Sequence, residues 1–241
     1  MRALIGKEIQ GFLGSLIGHI VIVVFLLLTG LFLWVFPGNI LDSGYADLGV
    51  LFHIAPWVFL FLVPAITMRS FSEERRTGTI ELLLTKPISE LRLVLAKYLA
   101  AVVLVVLALV PTLVYWYSIG SMAVPAWNID SGGIRGSYIG LFFLASTFTA
   151  IGIFASSLTE SQIVAFLIAV FLCFIVYVGF DLIADFNAFG AMEGPIKGLG
   201  IQQHYDSMSR GVIDLRDVLY FLGVDAIFLL ATRTVVQSRT W

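Results

Sequence analysis

Charge is scarce in this sequence: 12% of its 241 residues are Asp, Glu, Lys or Arg, while 59% are hydrophobic. A water-soluble globular domain carries about 25% charged residues, so this chain has too few to cover a wetted surface. It needs lipid as part of its solvent. A basic surplus is also missing, since the formal net charge is −2, and nothing in it suits nucleic acid. There is a single cysteine, Cys173, set within an apolar run. That excludes a disulfide framework and a Cys-based metal site. No G-x-x-x-x-G-K-[ST] phosphate loop, G-x-S-x-G elbow or H-E-x-x-H pair occurs, and no plausible triad. The chain is expected to bind no ATP and to have no catalytic chemistry of its own.

Long apolar runs are what the sequence has instead. A membrane-spanning helix needs about 20 mostly apolar residues. Six segments qualify: 17–36, 48–68, 93–119, 137–158, 162–180 and 218–236. The last is the weakest, because Asp225 and Arg233 lie within it. The fold class expected is an all-α integral membrane protein of one domain, 1–241, with six transmembrane helices. The basic start at Arg2 and Lys7 precedes a run too long for a signal-peptide core, with no small-residue cleavage site, so that run is read as retained.

Lys and Arg collect on one side of the six spans. With the connections numbered alternately from the N-terminus, Arg2, Lys7, Arg69, Arg75, Arg76, Lys86, Arg92, Lys97, Arg233 and Arg239 share a side. Arg135, Lys197, Arg210 and Arg216 share the other. Ten of the 14 basic residues thus mark the cytoplasmic side, which predicts both termini inside.

Three segments outside the spans carry pattern. In 1–16, Ile5, Ile9, Phe12, Leu13 and Leu16 recur at helical spacing, with Arg2, Lys7, Glu8 and Gln10 elsewhere on the wheel. That predicts an amphipathic interfacial helix. In 181–217, Leu182, Ile183, Phe186, Phe189 and Met192 share a helical face and Gly194-Pro195 breaks it. A second short helix would carry Ile196, Leu199 and Ile201, and Asp214 and Asp217 have cap spacing before the last span. These would be short re-entrant or interfacial helices of the outer face. His204 and Asp206 are two metal-type ligands without a third.

The loop 69–90 is the densest in charge. Ser70 and Glu73 have capping-box spacing. Gly78 interrupts the helix they would start. Thr79 can cap a second short helix with Glu81 in its first turn, and Pro87 ends it. Ser89 then caps the third span. An ordinary headgroup-facing loop favours bases, whereas this one holds Glu73, Glu74, Glu81 and Glu90, which suits a protein partner better. Within the spans, Asp225 is a candidate intramembrane polar site expected to face the bundle interior. Pro56, Pro64 and Pro111 can kink their helices. Gly140, Ala145, Ser146, Gly152 and Ala155 permit close helix packing.

The stretch Glu73-Glu74-Arg75-Arg76-Thr77-Gly78-Thr79-Ile80-Glu81-Leu82-Leu83-Leu84-Thr85-Lys86-Pro87 resembles the coupling-helix loop of type-2 ABC exporter permeases, whose pattern is E-x-x-x-G-T-x-E-x-L-L-x-x-P. Lys7-Glu8 resembles the start of that family's N-terminal interfacial helix, and 155–162 its turn between the fourth and fifth spans. Residues 204–221 resemble the entry to the last span in the branch of gliding-motility permeases and of permeases for copper-site maturation of nitrous oxide reductase. The resemblance implies a non-catalytic subunit of a bacterial inner-membrane complex. Glu73, Glu74, Arg75, Arg76, Gly78, Thr79 and Glu81 would contact a cytoplasmic ATP-binding cassette subunit that holds ATP and Mg. A second permease copy is implied, a homodimer being favoured, together with an auxiliary membrane subunit bearing an external domain. The alternatives are a membrane anchor or assembly scaffold that moves no solute, and a permease of another type-2 system such as copper-site maturation.

Overall fold

The computed structural model describes residues 1–79, 89–185 and 193–238. Among them the ordered elements are helices, and six are long and apolar enough to cross a membrane: Leu16–Trp34, Gly49–Arg76, Glu90–Met122, Ser131–Leu158, Gln162–Asp185 and Leu215–Gln237. The protein is therefore an all-α, multi-pass membrane protein. The spans reach past the apolar runs because polar residues at both ends keep the helical backbone bonds going.

Helix α1, Arg2–Leu13, is divided from α2, Leu16–Trp34, by a turn at Gly14-Ser15. The Ser15 hydroxyl accepts the Gly18 N–H and so caps α2. The first helix is thus a separate element and not an extension of the first span. A one-turn helix α3, Ile40–Ser43, capped by Asn39, leads to α4, Gly49–Thr67. Helix α5, Arg69–Arg76, follows after Met68 alone. The expected capping box does not form: Met68 occupies the cap position in helical backbone with no side-chain bond, because the chain never leaves the helix long enough for Ser70 to start a new one. The third span is α6, Glu90–Leu109, joined to α7, Leu113–Met122, through a 3-10 turn at Val110–Thr112 that contains Pro111. Ser89 stands at the cap position of α6, but its side chain makes no capping bond. The fourth span is α8, Ser131–Leu158, capped by Asp130 through the Gly132 and Gly133 N–H groups. The fifth comprises α9, Gln162–Phe174, a widened π turn at Ile175–Gly179 and α10, Phe180–Asp185. Such one-turn π segments relieve a single misfit residue inside an α-helix.

Gly194 and Pro195 lie in α11, Glu193–Lys197, and α12, Ile201–Ser209, follows after a further break. Phe186, Phe189 and Met192 lie outside the described residues. Helix α13, Leu215–Gln237, is capped by Asp214, whose carboxylate accepts the Arg216 N–H.

Helix α8 is the axis of the bundle. Of its central window 78% is buried, against 22% for the first, fifth and last spans, and α4, α5, α6, α9, α12 and α13 all pack on it. Small residues make this geometry feasible. At Gly136 an added Cβ would lie 2.6 Å from the Gly211 Cα, and at Gly152 only 2.1 Å from the Thr67 hydroxyl. Without a hydrophobic drive between helices in lipid, such close approach supplies much of the attraction. Proline adds a second device. Pro56 cannot donate to the Phe52 carbonyl four residues back, and the Tyr205 hydroxyl of α12 donates to that carbonyl at 2.6 Å. The vacancy in one helix thereby fastens another.

Gly152→Ala forces its methyl into Thr67 and is expected to cost about 1–3 kcal/mol, the usual penalty of overpacking. Thermal unfolding in detergent should fall accordingly and recover in part when Thr67→Ala is added; an unchanged midpoint for the single variant contradicts the packing described.

Candidate functional site

Helix α5 is held on three sides. Its register turns Phe71, Ser72 and Glu74 inward, where all three are buried. Glu73 and Arg75 are half-buried, and Arg76, Thr77, Gly78 and Thr79 are exposed. On one side stands the last turn of α8. The Ser156 hydroxyl accepts the Phe71 and Ser72 N–H groups at 2.9 and 3.2 Å and donates to the Met68 carbonyl at 3.0 Å. One side chain thereby serves both the orphan donors and the orphan acceptor of the α4–α5 junction. The Arg75 guanidinium donates to the Ser157 carbonyl beside it.

On the second side is α6. Its Lys97, only 1% exposed, points its ammonium at Glu74 Oε1 (2.9 Å), Glu8 Oε1 (2.9 Å) and the Ser70 carbonyl (2.6 Å). The Phe71 ring centre lies 5.1 Å away. Helix α1 is the third side, since Glu8 belongs to it, and the exposed Lys7 reaches Glu74 at 3.4 Å and Glu8 at 3.9 Å. Three separate helices therefore meet at one ammonium group. Three oxygens surround it, two from carboxylates and one from a backbone carbonyl, and a lysine ammonium offers donors but no acceptor.

The helix ends at Gly78, whose φ of +68° places it in the left-handed region. Its N–H returns to the Arg75 carbonyl at 3.2 Å. Gly is the residue that adopts this terminating conformation without Cβ strain. The Thr77 and Thr79 hydroxyls, on either side of it in the chain, lie 3.0 Å apart. Glu81 lies outside the described residues. Of the predicted contact residues, then, Glu74 and Arg75 are bonded to other helices of the bundle, Arg76, Gly78 and Thr79 are exposed at the helix end, and Glu73 is half-buried beside a cavity shared with α1 and α6.

Asp225 of α13 is 3% exposed and faces the bundle interior. Ser146 donates to its Oδ2 at 2.6 Å, Tyr98 to the same oxygen at 2.8 Å and Thr147 to Oδ1 at 2.7 Å. Tyr98 and Ser146 also lie 2.6 Å apart. The carboxylate ties α13 to α8 and α6, with a donor set that matches an acceptor-only group.

At the opposite end of the bundle, His204 Nε2 donates to the Gly198 carbonyl at 3.1 Å, its Nδ1 lies 2.7 Å from Asp217 Oδ1, and the ring stacks on Tyr220 with centroids 3.9 Å apart. These contacts occupy both ring nitrogens. Asp217 therefore serves His204 and not the cap of α13. Burial pushes the nearby Asp206 carboxyl above its ordinary range, with Arg210 pulling it back. Among the described residues no three His, Cys, Asp or Glu side chains gather as a metal site would require.

The sequence reading missed Lys97 as a partner of Glu8 and Glu74, and missed Ser156 altogether. The first had a signal: a lone cation inside an apolar span must find an anion or carbonyl. The second had none, because a serine near a helix end is unremarkable until its neighbour's broken backbone is known.

Six apolar spans around a central small-residue helix, with a charged helix clamped at one end, define a multi-pass α-helical membrane subunit. The chain belongs to the ABC-2 family transporter proteins, whose family model matches residues 2–231. It is a permease subunit of an ABC transporter, a class whose ATPase is a separate subunit. No curated protein matches the chain.

Lys97→Met leaves Glu8 and Glu74 facing a thioether and is expected to cost about 3–5 kcal/mol, as for other buried ion pairs broken from one side. Adding Glu8→Gln and Glu74→Gln should restore a large part, read by thermal unfolding. Asp225→Leu strands three hydroxyl donors and is expected to cost about 1–3 kcal/mol; a neutral effect would mean that the polar knot contributes nothing to the bundle.

Proposed function

We propose that this chain couples ATP hydrolysis by a separate cytoplasmic ATP-binding cassette subunit to export or mechanical work across the bacterial inner membrane. Both termini and α5 then face the cytoplasm. The partner binds ATP and Mg and closes on hydrolysable nucleotide. The outward edge of α5, with Glu73, Arg76, Gly78 and Thr79 leading into the loop that carries Glu81, docks into it as a coupling helix. The chain works with a second copy of itself, and an auxiliary membrane subunit with an external domain completes the assembly. Within the family the gliding-motility permease subunit GldF is the relative whose role fits best, on overall similarity of sequence.

The observation that carries this reading is the two-sidedness of α5. Its inner face is bonded to α1, α6 and α8 through Lys97, Ser156 and Ser157, while its outer edge is charged and has no such bond to the bundle among the described residues. A helix fastened on one face to several spans and open on the other suits a part that receives force. The apolar spans offer few polar groups for a hydrophilic path, which favours lipid-like cargo or force transmission over ions and sugars.

The test is ATP turnover by the co-purified complex in liposomes. Glu73→Lys with Arg76→Glu, or Gly78→Pro, should lower permease-dependent turnover about tenfold or more, the effect of roughly 1.4 kcal/mol in binding or coupling. Full co-purification and full turnover in both variants would remove the docking role. Stable co-purification with turnover indifferent to the permease would instead favour an anchor that moves nothing.

A further inference from the structure

His204 of α12 stands between two oxygen acceptors, the Gly198 carbonyl at Nε2 and Asp217 Oδ1 at Nδ1. A carbonyl oxygen has no proton to give, so the 3.1 Å contact is a hydrogen bond only when Nε2 carries a hydrogen. The 2.7 Å contact needs a proton as well, because a bare ring nitrogen and an ionised carboxylate are both acceptors. A neutral imidazole has a single N–H and serves one of the two. The arrangement therefore holds one proton more than a neutral ring and an ionised carboxylate supply between them.

The surroundings retain that proton. Asp217 is 7% exposed, and among the described residues its Oδ2 has no hydrogen-bond partner and His204 is its only ion-pair partner. A carboxylate so enclosed has to be neutralised by a neighbour or by a proton of its own. The Tyr220 ring lies over the imidazole at an interplanar angle of 19° and turns its electron-rich face to it, which favours a cation. Other titratable or charged groups stand on the neighbouring elements: Asp206 and Arg210 on α12 itself, Asp214 and Arg216 on α13, Arg135 on α8, and Tyr177 and Asp181 on the fifth span. None of these forms an ion pair with His204 or Asp217, and Lys197 of α11 is taken by Asp185 and Glu193.

We infer that His204 and Asp217 form a proton-dependent latch, which holds the segment between α11 and α12 on the last span while the pair is protonated and releases it when the proton leaves. Gly198 belongs to that segment and Asp217 to the first turn of α13. The Tyr220 hydroxyl crosses the same gap to the Leu199 carbonyl at 2.6 Å, so the ring and the segment it holds move together. Without the shared proton a lone pair faces an anion, and the contact turns from attraction to repulsion. The latch is whole at acid pH and is lost as the pH rises through the range in which the pair gives up its proton. Histidine is the side chain whose charge changes between about pH 5 and 8. In the orientation proposed above this end of the bundle faces outward, so the pH outside the cell would set it; the latch itself rests on the geometry alone and not on the coupling role of α5.

The experiment uses the full chain in nanodiscs, with spin labels at Gly194→Cys, where nothing lies within 4 Å of an added Cβ, and at Leu222→Cys, which is 51% exposed on α13. Cys173→Ala removes the other thiol. Distances are read at about pH 5 and about pH 9, on either side of the histidine range. The expected distribution is narrow at the acid pH and broader or longer at the alkaline one. Asp217→Asn supplies an amide N–H that a neutral ring accepts at Nδ1, so its distribution should stay narrow at both. Imidazole nitrogen-15 spectra of the unlabelled wild type, with His204 assigned by the signals that remain in His19→Gln and His53→Gln, read the proton without touching the pair. They should show two N–H groups on His204 at the acid pH and one at the alkaline. A proton count that does not change, a distance that does not respond to pH, or an equal response in Asp217→Asn overturns the latch.

Discussion

A charged ammonium group enclosed at the end of a membrane-spanning helix has to be neutralised, and the way Lys97 achieves this organises one end of the protein. Its oxygens come from α1, α5 and the backbone of the α4–α5 junction. Ion pairs of this sort are seldom a net source of stability, since desolvation offsets most of the attraction. Their value lies in geometry. No helix of the three can slide or turn without uncovering a charge in a poorly solvated place, so the cluster acts as a clamp more than as a glue. Ser156 and Arg75 extend the same clamp to α8 with hydrogen bonds that no apolar contact could replace.

The rest of the bundle obeys a compatible rule. Lipid tails are as apolar as leucine, so helices associate where backbones can come close and where polar atoms have to be shared. Helix α8 supplies both, with glycines where neighbours press hardest and with Ser146, Thr147 and Ser156 directed at Asp225 and at the α4–α5 junction. The Phe52 carbonyl that Pro56 leaves open is another shared atom, taken by Tyr205. Weak points in the helical backbone thus become the fastening points between helices. A bundle built this way is fastened at its knots, with apolar contacts between them.

The spans were legible because lipid imposes length and apolarity on each segment by itself, and both can be read from a single run of residues. Asp225 was legible for a related reason, since an acid inside such a run has to face inward whatever its partner. The helix ends were less so. Residues such as Ser131, Gly132 and Arg135 extend α8 through backbone bonds to which hydropathy is blind. The clamp was least legible. Lys97 lies 89 residues from Glu8 in the chain, and only the tertiary arrangement shows that Glu74 faces inward while Glu73 does not. Charge density alone marked the segment as important without separating the residues that hold α5 in place from those left at its outer edge. Gly78 was an exception, because a glycine at the close of a charged helix can be recognised from local backbone preference.

The most direct test of the clamp is the distance distribution between spin labels at Gln10→Cys on α1 and Glu160→Cys at the end of α8, with the buried Cys173→Ala to leave no other thiol. In the otherwise unaltered chain, reconstituted in nanodiscs, the clamp predicts one narrow distribution. With Lys97→Met it predicts a broad or shifted one, because α1 then loses its charged link to α5 and α6. Identical narrow distributions with and without Lys97 would show that the ammonium does not hold these helices together, and would contradict the account at its root.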